Sequence, residues 1–243
     1  MAVESTTRHM DAMATLASSL PRPALPDPVR AVIFDMDGTL IDTEAVHLRA
    51  FSDIGKAMGW PLSEELLLSM VGIHREANMA MFRRTFGPDF PLERFYAESD
   101  ALFEAMLDAQ VPPRPGAAIL LEHLAKAGIP MAVATSTMAP YAQQRLERAG
   151  FLPYFKTVVT RTDVEHPKPD LQPYLIAAQR LGFDPADCVA VEDSYAGVRS
   201  ATAAGIATVM VPDMLPPTED LILACATILP SLADLRDLLL ATE

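Results

Sequence analysis

Basic residues are scarce in this chain: 19 Lys and Arg stand against 32 Asp and Glu, a formal net charge of −13 over 243 residues. A nucleic-acid backbone and an anionic membrane surface both attract Lys and Arg, so neither is an expected partner. Cysteine is nearly absent. Cys188 and Cys225 lie in apolar runs with no CxxC spacing and no neighbouring His, which argues against a disulfide framework and a zinc site. Two buried thiols in a reducing compartment, the cytoplasm, are the expectation. No run of about 18 apolar residues occurs, so no segment reads as a membrane span. What is abundant is apolar residue, half of the chain, with only 21% charged. That composition describes a globular protein of one large domain, or a main domain with a smaller companion. Whether it is a monomer or a homodimer is not written in the composition.

Proline, with 21 residues, punctuates the chain. Pro21, Pro23, Pro26 and Pro28 close a leader that is read as a disordered tail over residues 1–27, the alternative being a processed targeting peptide. Val29 to Phe34 follows as a short β-branched and aromatic run that stops at Asp35, a buried strand. Residues 43–110 contain no comparable run. SEELLLSMVG, REANMAMFRRTF and LERFYAESDALFEAMLDAQ place apolar residues three and four apart, so this block is expected to be all-helical. Beyond Pro112, Pro113 and Pro115 the period alternates. Helices at 117–127, 139–149, 172–181, 195–204 and 232–240 are interleaved with strands at 130–134, 157–159, 188–191 and 207–211, and an edge strand is expected near 227–229. Such alternation predicts an α/β fold, a doubly wound parallel sheet whose first strand (within 28–42) is parted from the remainder (111–243) by the helical insertion.

Parallel sheets bind ligands at the carboxyl ends of their strands. There the chain carries Asp35, Asp37, Gly38 and Thr39 after the first strand, Thr135 and Ser136 after the second, and Glu192 and Asp193 after the fourth. Lys168 lies in a Pro-rich loop after the third. Each piece alone has an ordinary structural use as a turn, a helix cap or a solvated charge. Two acid clusters, hydroxyls and a cation on one sheet edge point together to a site. Hard oxygen ligands in this arrangement suit Mg²⁺.

At these residues, DMDGTLID, MAVATST, PKPD and VEDSYAGVRSATAAG, the sequence resembles the haloacid dehalogenase superfamily over residues 29–212. The insertion after the first motif resembles the helical cap of its phosphatase and β-phosphoglucomutase branch. The resemblance implies that Asp35 is the nucleophile of a phosphoryl transfer. Asp37 is then the general acid and base, oriented by Thr39, with its backbone carbonyl on the metal. Asp193 completes the protein ligands with Glu192 behind it, and Thr135, the Ser136 N–H and Lys168 hold phosphoryl oxygens. Four carboxylates against one Lys need a divalent cation before an anionic substrate can approach. His47 occupies the place of a His that in the mutases touches the acid/base Asp. Gly72-Ile73-His74-Arg75 is similar to a cap loop whose Arg grips a distal phosphate. Two mutase lysines are replaced by Val71 and Met138, which favours a phosphatase acting on a small sugar or polyol phosphate. A hexose phosphate mutase is the alternative. A signalling receiver domain or a non-catalytic binder is the reading from another class, and the DxDGT motif with its intact acids speaks against both.

Overall fold

The computed structural model describes residues 23–240 apart from 72 and 74. The leader expected over residues 1–27 therefore lies mostly outside the described residues, as do Gly72 and His74 of the cap loop. Six strands form one parallel sheet: β1 Ala31–Phe34, β2 Met131–Ala134, β3 Phe155–Val159, β4 Cys188–Glu192, β5 Ala207–Met210 and β6 Thr227–Ile228. Their order is β3-β2-β1-β4-β5-β6. The strands are short and apolar because both faces of the sheet are covered, and β1, β2 and β4 are buried throughout.

Successive side chains of a strand point to opposite faces, which sorts the core into two layers. Val32 and Phe34 of β1 meet Leu120, Leu121 and Leu124 of one helix (Ala117–Lys126), with Leu146, Leu235 and Leu239 from two others. Ala31 and Ile33 face the other way, onto Tyr174, Ala177 and Ala178. That second face is rich in alanine on both sheet and helix, which lets the ring of Tyr174 lie fully buried beneath the strand ends.

In chain order the helices are α1 Thr43–Ala57, α2 Glu64–Leu68, α3 Arg75–Phe86, α4 Leu92–Ala109, α5 Ala117–Lys126, α6 Tyr141–Arg148, α7 Gln172–Leu181, α8 Tyr195–Ala203, α9 Glu219–Ala224 and α10 Leu232–Leu240. Helices α1 to α4 lie between β1 and β2 and form the inserted cap. Its core is aromatic: Phe51, Phe82, Phe90, Phe95 and Tyr96 are buried together, with Phe51 and Phe95 ring centroids 5.1 Å apart in an edge-to-face contact. Phe82 is fully buried, and Met79 and Met81 pack against the cluster. The two crossings between core and cap are tied to one another. The Asp42 N–H donates to the Pro112 carbonyl (2.8 Å) and the Arg114 N–H to the Leu40 carbonyl (2.9 Å). Arg114 also pairs with Asp213 at 2.6 Å, which fastens this hinge to the loop after β5.

One element, the short helix α9, was not expected from the sequence; the other differences lie at element ends. Helix α6 begins at Tyr141 rather than residue 139, since a residue preceding proline is disfavoured in the helical conformation and Pro140 stands at the N-cap. Strand β3 starts two residues early at Phe155, and β4 takes in Glu192.

One junction is packed without slack. Helix α8 starts so close to β4 that a Cβ built on Gly197 would lie 1.7 Å from Glu192 Oε1. The Gly197 N–H caps onto the Ser194 hydroxyl at 3.1 Å. Gly197→Ala must therefore displace a buried carboxylate, and a loss of about 1–3 kcal/mol is expected from such overpacking. Thermal unfolding checks this: a drop in melting temperature of about 2–12 °C is expected for a chain of this size, and an unchanged midpoint would contradict the packing.

Candidate active site

The order of the sheet reverses beside β1, where chain connections leave β1 and β4 in opposite directions and a crevice opens at their carboxyl ends. Asp35 stands there because its N–H continues the ladder, donating to the Val191 carbonyl at 2.9 Å. Its carboxylate is nearly buried. Lys168, from the loop after β3, donates to Asp35 Oδ1 at 2.5 Å and to Glu192 Oε1 at 2.6 Å. Glu192 is fully buried and fully occupied. Its Oε1 also accepts from the Tyr174 hydroxyl (2.8 Å). Its Oε2 accepts from the Ser194 hydroxyl (3.0 Å) and from the N–H groups of Asp193 and Ser194 (3.2 Å each). Glu192 thus holds Lys168 against Asp35.

These contacts set the protonation. Burial pushes the Asp35 carboxyl well above its ordinary range; Lys168 draws it down, while Glu192, Asp193 and Asp37 push it further up. Burial acts to lower Lys168, but Asp35 and Glu192 outweigh it and hold the ammonium firmly charged. Asp193 is likewise raised by burial and by Glu192, against the pull of Thr39 and Lys168.

The Asp37-Gly38-Thr39 turn divides its partners between two carboxylates. Gly38 adopts φ +85°, and a Cβ there would lie 2.4 Å from Asp193 Oδ2, so glycine is required by both conformation and space. The Thr39 hydroxyl, expected to orient Asp37, donates instead to Asp193 Oδ1 at 2.8 Å. Asp37 is held by other groups. Thr43 donates to its Oδ1 (3.0 Å), Thr137 and Thr135 to its Oδ2 (2.7 and 3.3 Å), and Arg145 Nη1 lies 3.4 Å from Oδ1. Arg145 also pairs with Glu104 of the cap at 2.8 Å.

Oxygen atoms of Asp35, Glu192 and Asp193 lie within 4.8 Å of one another, a group able to hold a cation. Lys168 and Thr39 each take one oxygen, of Asp35 and Asp193 respectively, and one ammonium stands among three carboxylates. The residues therefore fit a hard, oxygen-preferring divalent ion.

The other expected residues are Ser136, His47 and Arg75. Ser136 is exposed at the end of β2. His47 packs its ring on Phe51 and Phe103, with centroids at 4.4 and 5.3 Å, and makes no hydrogen bond to Asp37. Burial lowers its pKa, with Asp100 opposing and Arg75 assisting. Arg75 donates to Asp100 at 2.8 Å and lies over the Tyr96 ring. Beside Asp193 a cleft of about 280 Å³ opens between Glu44 and Val71 of the cap and Tyr195, Arg199 and Met214 of the core. Burial and the nearby Asp213, Asp37 and Asp42 raise the Glu44 carboxyl.

Thr43, Thr137, Arg145 and Tyr174 were not anticipated. The signal for Arg145 was its register: it shares an i, i+3, i+4 stripe with buried Ala142 and Leu146, so a guanidinium sits where an apolar residue belongs. Tyr174 carries the same kind of signal, falling with Ala177 and Ala178 on the buried face of α7.

Comparison with known proteins agrees with this architecture. The family model for haloacid dehalogenase-like hydrolases matches residues 32–211. A phosphorylated carbohydrates phosphatase of Thermotoga maritima is 33% identical over 182 residues, covering 73% of this chain and 82% of the relative. Hexitol phosphatase A of Escherichia coli is 37% identical over 188 residues, 75% of this chain and 82% of that one. The crystal structure of a haloacid dehalogenase family hydrolase from Deinococcus radiodurans with bound phosphate and sodium superposes with a TM-score of 0.77 at 27% identity, covering 89% of this chain and 97% of that one. The Asp35–Thr39 loop, the buried lysine, the paired acids and the inserted helices all fall within these matches, and the chain belongs to the haloacid dehalogenase-like hydrolases, in their branch of capped phosphatases and β-phosphoglucomutase-like proteins.

Proposed function

We propose that this hydrolase is a Mg²⁺-dependent phosphatase of small phosphomonoesters, sugar or polyol phosphates, working in the cytoplasm through an aspartyl-phosphate. The supporting observation is Asp35 itself: a carboxylate at the switch point of the sheet, fixed through one oxygen by a buried lysine, with a second carboxylate, Asp37, two residues on and bound only to hydroxyls and a guanidinium. An Asp35 oxygen attacks phosphorus and the bond to the alcohol oxygen breaks, with Asp37 supplying the proton that the leaving alcohol takes. Asp37 then accepts a proton from water. The water oxygen bonds to phosphorus as the Asp35–phosphorus link breaks, and inorganic phosphate departs. Lys168, Thr135 and the Ser136 N–H are assigned to the phosphoryl oxygens.

Asp35, Asp193 and the Asp37 backbone carbonyl would hold Mg²⁺, which when bound offsets the acidic cluster and the charge of the transferring group. Glu192, beside Asp193 in the acidic group, has both oxygens committed to Lys168, Tyr174, Ser194 and backbone N–H groups, and is assigned to keeping Lys168 in place. The substrate class rests on the relatives, whose names refer to phosphorylated carbohydrates and to a hexitol. Val71 and Met138 stand where a mutase carries lysines, and Arg75 is already paired with Asp100. Both favour release of phosphate to water over retention of a doubly phosphorylated sugar.

With p-nitrophenyl phosphate and Mg²⁺, phosphate release is expected. Asp35→Asn should lower it at least about a thousandfold, and EDTA should stop it until Mg²⁺ is restored. Turnover by metal-free Asp35→Asn protein would sink the mechanism. A panel of sugar, polyol and nucleotide monophosphates then ranks substrates. Interconversion of hexose 1- and 6-phosphates without net phosphate release would decide for the mutase.

The raised carboxyls give a second test. A carboxyl whose folded pKa lies above its unfolded value makes the folded protein the better proton binder, so its contribution is present at low pH and is lost as pH rises through the folded value. Asp35 and Asp193, both raised from 3.8, should destabilise the metal-free protein in this way as pH is increased. Mg²⁺ competes with those protons, so it should raise the melting temperature more at about pH 7.5 than at about pH 5. In Asp193→Asn that difference should shrink. An equal Mg²⁺ shift at both pH values would place the ion elsewhere.

A further inference from the structure

We propose that Arg145 is a positioning residue that ties the orientation of Asp37 to closure of the cap, through its ion pair with Glu104. The inference rests on the reading of Asp37 as the acid that protonates the leaving alcohol. Arg145 belongs to core helix α6 and its side chain is 8% exposed. Nη1 lies 3.4 Å from both Asp37 Oδ1 and Thr137 Oγ1, and Nη2 donates to Glu104 Oε1 of cap helix α4 at 2.8 Å. The guanidinium lies 5.3 Å from the centroid of Phe103, the residue preceding Glu104, while its buried Nε has no partner.

The geometry assigns unequal tasks to the two nitrogens. A separation of 3.4 Å is at the outer edge of a hydrogen bond, so Arg145 acts on Asp37 by charge and by holding the hydroxyl of Thr137, which donates to Asp37 Oδ2 at 2.7 Å. The short bond goes to the cap. Glu104 is 43% exposed on its side chain, so water can receive its carboxylate when α4 moves away; Arg145 is left with Asp37 as its nearest anion. Closure divides the guanidinium between Glu104 and Asp37, and opening gives it to Asp37 alone.

A neighbouring ion pair provides the control. Arg148, one turn along α6, pairs with Asp108, one turn along α4, and that pair also joins core to cap but does not touch Asp37. A role confined to docking the cap would make the two pairs equivalent.

The test compares kcat/KM for p-nitrophenyl phosphate, whose leaving group needs no proton, with that for glycerol 2-phosphate, whose alkoxide does. Asp37→Asn sets the scale and should lose far more on glycerol 2-phosphate. Arg145→Met should lose about tenfold more on glycerol 2-phosphate than on p-nitrophenyl phosphate, a fraction of the effect of a general acid. Glu104→Gln should lose about threefold more in the same direction, and Arg145→Lys should recover part of the difference. Asp108→Asn should change both substrates alike. If Arg145→Met does not fold, Glu104→Gln against Asp108→Asn carries the comparison. Equal losses on both substrates in Arg145→Met and Glu104→Gln, with Asp37→Asn still discriminating, would overturn the proposal. Loss of discrimination in Asp37→Asn itself would remove the acid role, and this inference with it.

Discussion

One buried ammonium organises the catalytic edge of this protein. Lys168 lies between Asp35 and Glu192 with 4% of its side chain exposed. In so dry a position a lysine needs both carboxylates, and each carboxylate needs the lysine. A buried pair of this kind adds little net stability, but removing one member strands the other and is strongly destabilising. The surrounding sequence follows from that demand. Tyr174 lies under an alanine-rich patch of sheet so that its hydroxyl reaches Glu192. Ser194 spends its hydroxyl on Glu192 as acceptor while capping α8, and Gly197 has no side chain because Glu192 occupies the space. Four residues from three elements are thus committed to placing one oxygen of Asp35.

A second constraint is that the loop leaving β1 must serve the site and the hinge at once. Gly38 folds back by donating to the Ile41 carbonyl, and Leu40 and Asp42 then pair with Arg114 and Pro112 on the returning strand of the hinge. Thr39 faces Asp193, and Thr43, the first residue of the cap, faces Asp37. The turn therefore separates an Asp193 side from an Asp37 side. Any rotation of the cap about residues 40–42 pulls on Thr43, a ligand of Asp37, and through Glu104 on Arg145. Cap position and the state of Asp37 are joined at both ends of the insertion.

The fold was legible from sequence because its signals are local. Most strands are apolar runs that stop at a polar residue, and most helices carry their own apolar spacing; apart from the six-residue α9, too short to show a period, only the ends moved. The acids and Lys168 were legible for the same reason, standing at strand ends where little else explains them. What escaped was everything that depends on which way a side chain turns once elements pack. Thr39 is next to Asp37 in sequence yet bonds Asp193, whereas Thr137 and Arg145, about a hundred residues away, bond Asp37. His47 lies one helical turn beyond Thr43 and still spends its ring on Phe51 and Phe103. Aromatic packing in the cap, invisible as chemistry in the sequence, outweighs the spacing that suggested a contact.

The scarcity of cations gains a meaning from this arrangement. With 19 Lys and Arg in the chain, the group of acids at the strand ends is met by two, both buried against carboxylates: Lys168 at Asp35 and Arg145 at Asp37. Neither is left as an exposed charge to attract anions from a distance. An exposed lysine at position 71 or 138 would do so and would hold a second phosphate, but apolar Val71 and Met138 stand there, and Val71 lines a cleft whose charged groups are three carboxylates, Glu44, Asp193 and Asp213, against one cation, Arg199, already paired with Asp220. Such a cleft repels additional negative charge while its carboxylates can accept hydroxyl hydrogens. An alcohol portion with one phosphate satisfies both conditions, and a bisphosphate violates the first; the placement of charge, more than its amount, favours hydrolysis of a monoester at this site.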